Sequence, residues 1–308
     1  MSRIPLNRRT FIGTCAAGAV LGLSGLPAGA SVPEIRTRPI PKSGERIPVI
    51  GMGTWITFNV GENEKLRDAR TDVLAKFFEL GGGMIDSSPM YGSAEAVVGY
   101  GLKKLGTSDN LFSATKVWTP LEAGGRSQIE DSRNLWGLKN FDLFQIHNLL
   151  NWEDHLETLR AEKAAGRIRY IGITTSHGMR HADMEKIMSS EDIDFVQLTY
   201  NAVDRDAEDR LLPLAAERNI AVICNRPYRR GQLIDAVQNH PLPVWAADAG
   251  AGNWPEFLLK FIVSHPAVTC AIPATSQVTH MTENMGALKG PLPDAKMRNR
   301  MADHVYNL

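Results

Sequence analysis

Short apolar runs and amphipathic stretches alternate eight times along this 308-residue chain, and that alternation limits the fold more than any other feature. The runs cover residues 49–54, 84–85, 111–115, 142–146, 170–174, 195–199, 221–224 and 268–272. They are rich in β-branched residues and almost continuously apolar, as strands covered on both faces should be. Between them, apolar residues recur at helical spacing. Leu66, Val73, Leu74, Phe77 and Phe78 predict a helix over 65–80. Further helices are expected over 94–105, 127–136, 152–165, 181–188, 206–218, 255–264 and 279–288. A parallel (β/α)8 TIM barrel in one α/β domain is the economical fold. An open doubly wound sheet would need a glycine fingerprint leading into a helix, but Gly51-Met52-Gly53 runs into Thr54-Trp55-Ile56 instead. Residues 32–47 are rich in proline and charge and read as an exposed arm or hairpin, while the tail after Leu288 offers little to form a long loop.

The first 30 residues form a separate object. Asn7-Arg8-Arg9-Thr10-Phe11-Ile12 precedes an apolar run rich in glycine and alanine over 13–26, which meets Ala28-Gly29-Ala30. The run is short for a bilayer span, and the small residues mark a cleavage site after Ala30. Paired arginines followed by phenylalanine resemble the twin-arginine export signal. That resemblance implies export machinery as a partner, a periplasmic or exported location, and no stable membrane span after cleavage. It also implies a barrel of residues 31–308 that folds before export, around a cofactor. Lysine plus arginine (34) balances aspartate plus glutamate (34), and the charges are scattered, so no nucleic-acid stripe is present. Loss of Arg3, Arg8 and Arg9 leaves the mature chain slightly acidic. A small molecule is the expected partner. Of three cysteines, Cys224 and Cys270 lie in apolar strand-like runs, as two buried thiols or as a disulfide if those strands are neighbours.

In a barrel, chemistry gathers at the carboxyl ends of strands. Three such ends carry reactive groups: Asp86 with Tyr91, Lys116 after 111–115, and His147 after 142–146. Consecutive strands bring their ends to one mouth. An ammonium beside a phenol stabilises phenolate and draws proton exchange toward neutral pH, and a carboxylate keeps a buried ammonium charged. In such a set Tyr91 can serve as a proton donor, with Lys116 as its activator, Asp86 as the counter-ion and His147 at the same mouth.

These segments, together with Gly51 to Trp55, Asp142 to His147 and Gly166 to Ile173, resemble the aldo-keto reductase family over nearly all of the chain after residue 30. The resemblance implies hydride transfer between a nicotinamide cofactor and a carbonyl or alcohol, with Asp86, Tyr91, Lys116 and His147 filling the family's four active-site positions. It places Gly53, Thr54, Thr174, Thr175 and Gln197 around the cofactor, with Gln197 fixing the nicotinamide. Asn225 stands where many members stack tyrosine, and Arg226 beside it meets the pyrophosphate or a substrate anion. Thr275, Ser276 and His280 lie in the segment that holds the adenosine phosphate, and Glu283 and Asn284 would recognise adenine. NADP is expected on family grounds, but Ala274 and His280 replace the family's lysine and arginine, which weakens the case for a 2′-phosphate and keeps NAD as the alternative. Trp55, Trp118 and Asn148 fall at pocket positions.

Two other classes compete with this reading. A redox-sensing or partner-binding module would bind the nicotinamide cofactor tightly and turn over slowly. A metal-dependent isomerase or hydrolase would need converging histidines and carboxylates, whereas the chain has no zinc-ligand spacing and its strand-end set includes a lysine.

Overall fold

The computed structural model describes residues 35–106 and 110–308, so the expected export signal lies outside the described residues. The chain first forms a hairpin, β1 (Thr37–Pro39) against β2 (Arg46–Pro48). Eight parallel strands follow: β3 (Met52–Gly53), β4 (Met84–Asp86), β5 (Phe112–Val117), β6 (Phe141–Ile146), β7 (Ile168–Thr174), β8 (Phe195–Thr199), β9 (Ala221–Asn225) and β10 (Cys270–Ala271). Their order in space is their order in the chain. Bridges from Ile50 to Ala271 and from Gly53 to Ala274 join the last strand to the first and close the barrel. Closure explains the glycines of the first strand. A Cβ on Gly51 would stand 3.1 Å from Cys270 Sγ and from Ile272 Cγ2, and one on Gly53 2.9 Å from the Ile272 carbonyl oxygen.

The helices are α1 (Glu64–Glu79), α2 (Ala94–Leu105), α3 (Glu122–Trp136), α4 (Trp152–Ala164), α5 (His181–Ser190), α6 (Leu211–Glu217), α7 (Gln232–Val237), α8 (Trp254–Val263), α9 (Val278–Gly286) and α10 (Ala295–Tyr306). Every expected strand-and-helix unit is present, with shifted ends. Helix α3 begins five residues before the expected 127, straight through Gly124 and Gly125, because tertiary packing overrides the poor propensity of glycine. The expected helix over 206–218 is a short 3₁₀ turn (Asp206–Glu208) followed by α6. The tail after Leu288 forms α10, whose Asp294 cap accepts from the Met297 amide and whose Met301, Ala302 and Val305 are buried. Its many charged residues on the outer face hide that stripe in the sequence.

Strand residues alternate between the barrel interior and the helix-facing outside. Met84, Phe112, Ala114, Leu143, Tyr170, Phe195, Ala221, Ile223, Cys270 and Ile272 make one apolar cluster, joined by Ile40 and Ile47 from the hairpin. The hairpin is therefore a core element and not an exposed arm. The same alternation separates the cysteines. Cys270 pairs in register with Ile223 and shares its cluster, while Cys224, one residue on, belongs to the outer core. Both thiols are free and buried, on opposite faces of the sheet, which no disulfide can bridge.

Candidate active site

Period two carries the barrel's apolar interior into a polar layer at the strands' carboxyl ends. Asp86 shares a face with Met84, Lys116 with Ala114, Gln145 and His147 with Leu143, and Gln197 with Phe195. The Lys116 ammonium, fully buried, donates to Asp86 Oδ2 at 2.5 Å and to the Ser87 carbonyl at 2.7 Å. Asp86 Oδ1 accepts from Gln145 Nε2 and Gln197 Nε2, both at 2.9 Å. The carboxylate thus has three donors in a buried layer, which is the condition under which a buried pair stays ionised. Burial works to lower the Lys116 pKa, but the charges of Asp86 and Tyr91 and the hydrogen bond to Asp86 outweigh it, and the net direction is up.

Tyr91 ends a 3₁₀ turn (Pro89–Tyr91) directly above this pair, with the Lys116 nitrogen 5.1 Å from its ring centroid. Desolvation raises the phenol's pKa and the Asp86 charge adds to it, so the opposing pull of Lys116 moderates the rise without reversing it. The expected drift toward neutral pH is therefore not the resting condition: the phenol holds its proton. His147 meets Tyr91 edge-on, ring centroids 5.6 Å apart at 85°. Burial, with Lys116 nearby, lowers the imidazole's pKa to about 2, so it is neutral. Ser88 Oγ lies 2.8 Å from its Nδ1.

Above these groups opens a cavity of about 530 Å³, lined by Asp86, Tyr91 and His147 but not by Lys116, which lies beneath Tyr91. Gly53, Thr54, Trp55, Asn148, Thr174 and Thr175 also line it, as do Gln197, Asn225, Arg226, Thr275, His280, Glu283 and Asn284. Ser276 does not; its carbonyl accepts from Arg70 at 3.4 Å. Trp118, expected as a pocket wall, is 41% exposed and stands outside the lining. Trp55 does line the cavity, capped by the Arg230 guanidinium 4.1 Å from its ring centroid. The chain from Asn225 to Gly231 is held in unusual backbone, with Arg226, Arg229 and Arg230 at positive φ. Arg226 Nε is buried without a hydrogen-bond partner, and Arg226 and Arg230 both depress the pKa of His177 after its own desolvation. That corner of the cavity therefore carries positive charge from Arg226 and Arg230.

Several polar groups are already committed. Gln197 spends its amide nitrogen on Asp86 and turns only its oxygen toward Asn225. Asn225 donates to the Thr175 carbonyl at 2.8 Å and accepts from Thr199 at 2.7 Å, so its carboxamide is fixed flat in the cavity wall. Thr174 Oγ1 accepts from the Asn148 amide at 3.1 Å, and its own hydrogen has no acceptor among the described residues. The Thr175 hydroxyl turns outward to Met184 Sδ at 3.8 Å, as its odd position in the alternation dictates. Asn284 accepts from the Tyr228 hydroxyl at 2.6 Å. Thr54 donates to the Asp86 carbonyl at 3.0 Å and braces the strand end from the first strand. Among the described residues no group of three histidine, cysteine or carboxylate side chains is placed to hold a metal ion.

This geometry has counterparts of known class. The model of the Aldo/keto reductase family matches residues 49–302. The chain belongs to the aldo/keto reductase family. Among its relatives, methylglyoxal reductase YeaE of Escherichia coli is 30% identical over 277 residues, covering 84% of this chain and 91% of that protein. The NADH-specific methylglyoxal reductase of Escherichia coli is 24% identical, covering 84% and 90%. An aldo/keto reductase of Klebsiella pneumoniae, solved with NADP and acetate, superposes with a TM-score of 0.72 at 26% identity, covering 85% of this chain and 93% of that one. This aldo/keto reductase is thus an oxidoreductase on a (β/α)8 barrel. Three residues that shape its site escaped the sequence reading. Gln145 was detectable as a polar residue on the inward face of an apolar strand. Ser88 passes for an ordinary turn former. Glu95, a buried carboxyl held by Thr115, Ser132 and Trp136 behind β5, passes for a helix-surface charge.

Proposed function

We propose that this aldo/keto reductase reduces a small aldehyde or ketone with NADPH, using Tyr91 as the proton donor. The carrying observation is the buried Lys116–Asp86 pair directly beneath a protonated phenol that shares a cavity with a neutral imidazole. The nicotinamide cofactor, when bound, supplies the hydride. As hydride reaches the carbonyl carbon, negative charge grows on its oxygen. His147 donates a hydrogen bond to that oxygen, and Tyr91 transfers its proton to it. Lys116 stabilises the phenolate left behind, and Asp86, itself held by Gln145 and Gln197, keeps Lys116 in place. In the oxidative direction the same groups run in reverse.

The residues present suit such a cofactor. The unpartnered Arg226 Nε and the neighbouring Arg230 would receive the pyrophosphate. Thr174, with its free hydroxyl hydrogen, and the fixed amide of Asn225 would meet the carboxamide. Thr275 and His280 also line the cavity and would meet the adenosine phosphate, and Glu283 and Asn284 would recognise adenine. The absence of lysine at Ala274 and arginine at His280 removes two charge-assisted bonds, each worth about 1.5–3 kcal/mol. NADPH should accordingly be preferred over NADH by less than about tenfold, and His280→Arg should widen the gap by about that factor or more. Fluorescence titration of both cofactors checks this. A strong NADH preference that His280→Arg leaves unchanged would refute the phosphate assignment.

The stretch from Asn7 to Ala30 supports export of the folded, cofactor-loaded protein by the twin-arginine route. Replacing Arg8 and Arg9 together by lysine should retain the full-length chain in the cytoplasm. Undiminished export of that variant, followed by cell fractionation and immunoblotting, would dismiss the route.

A further inference from the structure

The proposed reduction needs an N–H aimed at the carbonyl oxygen, and a neutral imidazole has only one to give. We infer that Ser88 decides which nitrogen of His147 carries it, by donating its hydroxyl hydrogen to Nδ1 and so presenting Nε2–H to the cavity. The consequence for catalysis rests on His147 being the group that meets the substrate carbonyl, but the tautomer itself does not.

The argument is one of hydrogen-bond accounting. Ser88 is fully buried and His147 nearly so, with Oγ and Nδ1 2.8 Å apart. Ser88 Oγ also receives the Met90 amide at 3.2 Å. A hydroxyl has one hydrogen and two lone pairs. If Nδ1–H donated to Oγ, the two lone pairs would be filled by Met90 and His147, and the hydroxyl hydrogen would need an acceptor of its own. Among the described residues none lies within hydrogen-bonding distance, and burial excludes solvent. With the direction reversed, the hydroxyl hydrogen enters the Nδ1 lone pair, Met90 donates to Oγ, and nothing is stranded. Buried polar groups adopt the fully paired arrangement. The imidazole cannot escape the choice by taking a second proton, because burial and Lys116 keep it neutral.

Ser88 does a second thing. By accepting from Met90 it caps the 3₁₀ turn that carries Tyr91, so one hydroxyl ties the imidazole to the turn bearing the phenol. It touches neither the reacting atoms nor the cofactor positions and is a positioning residue.

The test is long-range ¹H–¹⁵N spectroscopy of the ¹⁵N-labelled protein, with the His147 signals assigned by their loss in His147→Gln. The wild type should show Nε2–H at His147. Ser88→Ala should move it to Nδ1–H or to an exchanging mixture, and Ser88→Thr should keep Nε2–H. In turnover, Ser88→Ala should lower kcat by about tenfold or more, short of the 10²- to 10³-fold cost of deleting an oxyanion donor, with Ser88→Thr restoring it. Nδ1–H in the wild type, or Nε2–H persisting in Ser88→Ala, overturns the proposal whatever the rates do. The wild-type spectrum gives its answer even if a variant fails to fold. An Nε2–H imidazole in a protein that reduces no carbonyl would uphold the tautomer and remove the functional reading instead.

Discussion

Tyr91→Phe should lower kcat for carbonyl reduction by about 10²- to 10⁴-fold, the range that a positioned general acid contributes. Cofactor affinity should stay at the wild-type value, because the phenol lies at the cavity floor beside His147 and not among the polar groups expected to hold the cofactor. The change removes one oxygen and leaves the ring, its edge contact with His147 and its place over Lys116 intact. Stability should therefore change little. The pH profile adds a second constraint. Reduction requires the protonated phenol, and desolvation raises its pKa above that of a free phenol, so the wild-type rate should remain level through neutral pH and decline only at strongly alkaline pH. His147 adds no inflection near its ordinary range, because its pKa lies at about 2. Steady-state kinetics from pH 5 into the strongly alkaline range, with cofactor titration, measure all of this. Wild-type turnover in Tyr91→Phe, or a rate that halves across pH 6–7 in the wild type, would remove Tyr91 or His147 from the assigned role.

The division between what the chain reveals in one dimension and what it conceals follows from the geometry of a barrel. Apolar runs such as 142–146 announce strands, and a reactive residue just past such a run, as with Lys116 and His147, falls at the mouth by construction. The inward or outward facing of each strand residue was equally available. Thr174 shares the parity of Tyr170 and Gly172 and faces in, whereas Thr175 is one residue out of phase and turns to Met184. The same rule selects Gln145 and Gln197 as inward polar residues beneath Asp86, a duty that removes the Gln197 nitrogen from the cofactor role first expected of it. Other features had no signal of that kind. Arg230 reaches Trp55 across 174 intervening positions only because the barrel closes, and Trp118 falls outside the cavity through the path of its loop. Ile40 and Ile47 enter the barrel from a hairpin whose prolines and charges gave the opposite impression.

Lys116→Met should cost about 3–5 kcal/mol of folding stability, since it removes one partner of a buried ion pair and leaves the other charge uncompensated. With side chains 0% and 2% exposed, Asp86 would meet solvent only at its small edge on the cavity. Gln145 and Gln197 continue to serve Oδ1, so the loss should fall at the lower end of that range. Activity should also fall by about 10²- to 10⁴-fold, because nothing then offsets the effect of burial and of Asp86 on the phenolate that Tyr91 must become. The two effects separate in a second variant, Lys116→Met with Asp86→Asn. The asparagine oxygen can still accept from both glutamines, which now donate to Asp86 Oδ1. With no charge left in the layer, stability should return to within about 1 kcal/mol of wild type, as when buried pairs are replaced by neutral groups. Activity should not return, since the phenol has lost its ammonium. Urea denaturation with matched m-values gives the stabilities and steady-state assays give the rates. A Lys116→Met protein as stable as wild type would mean that Asp86 and Lys116 are not coupled as charges. A double variant that regained turnover would mean that the ammonium supports the fold and not the proton transfer.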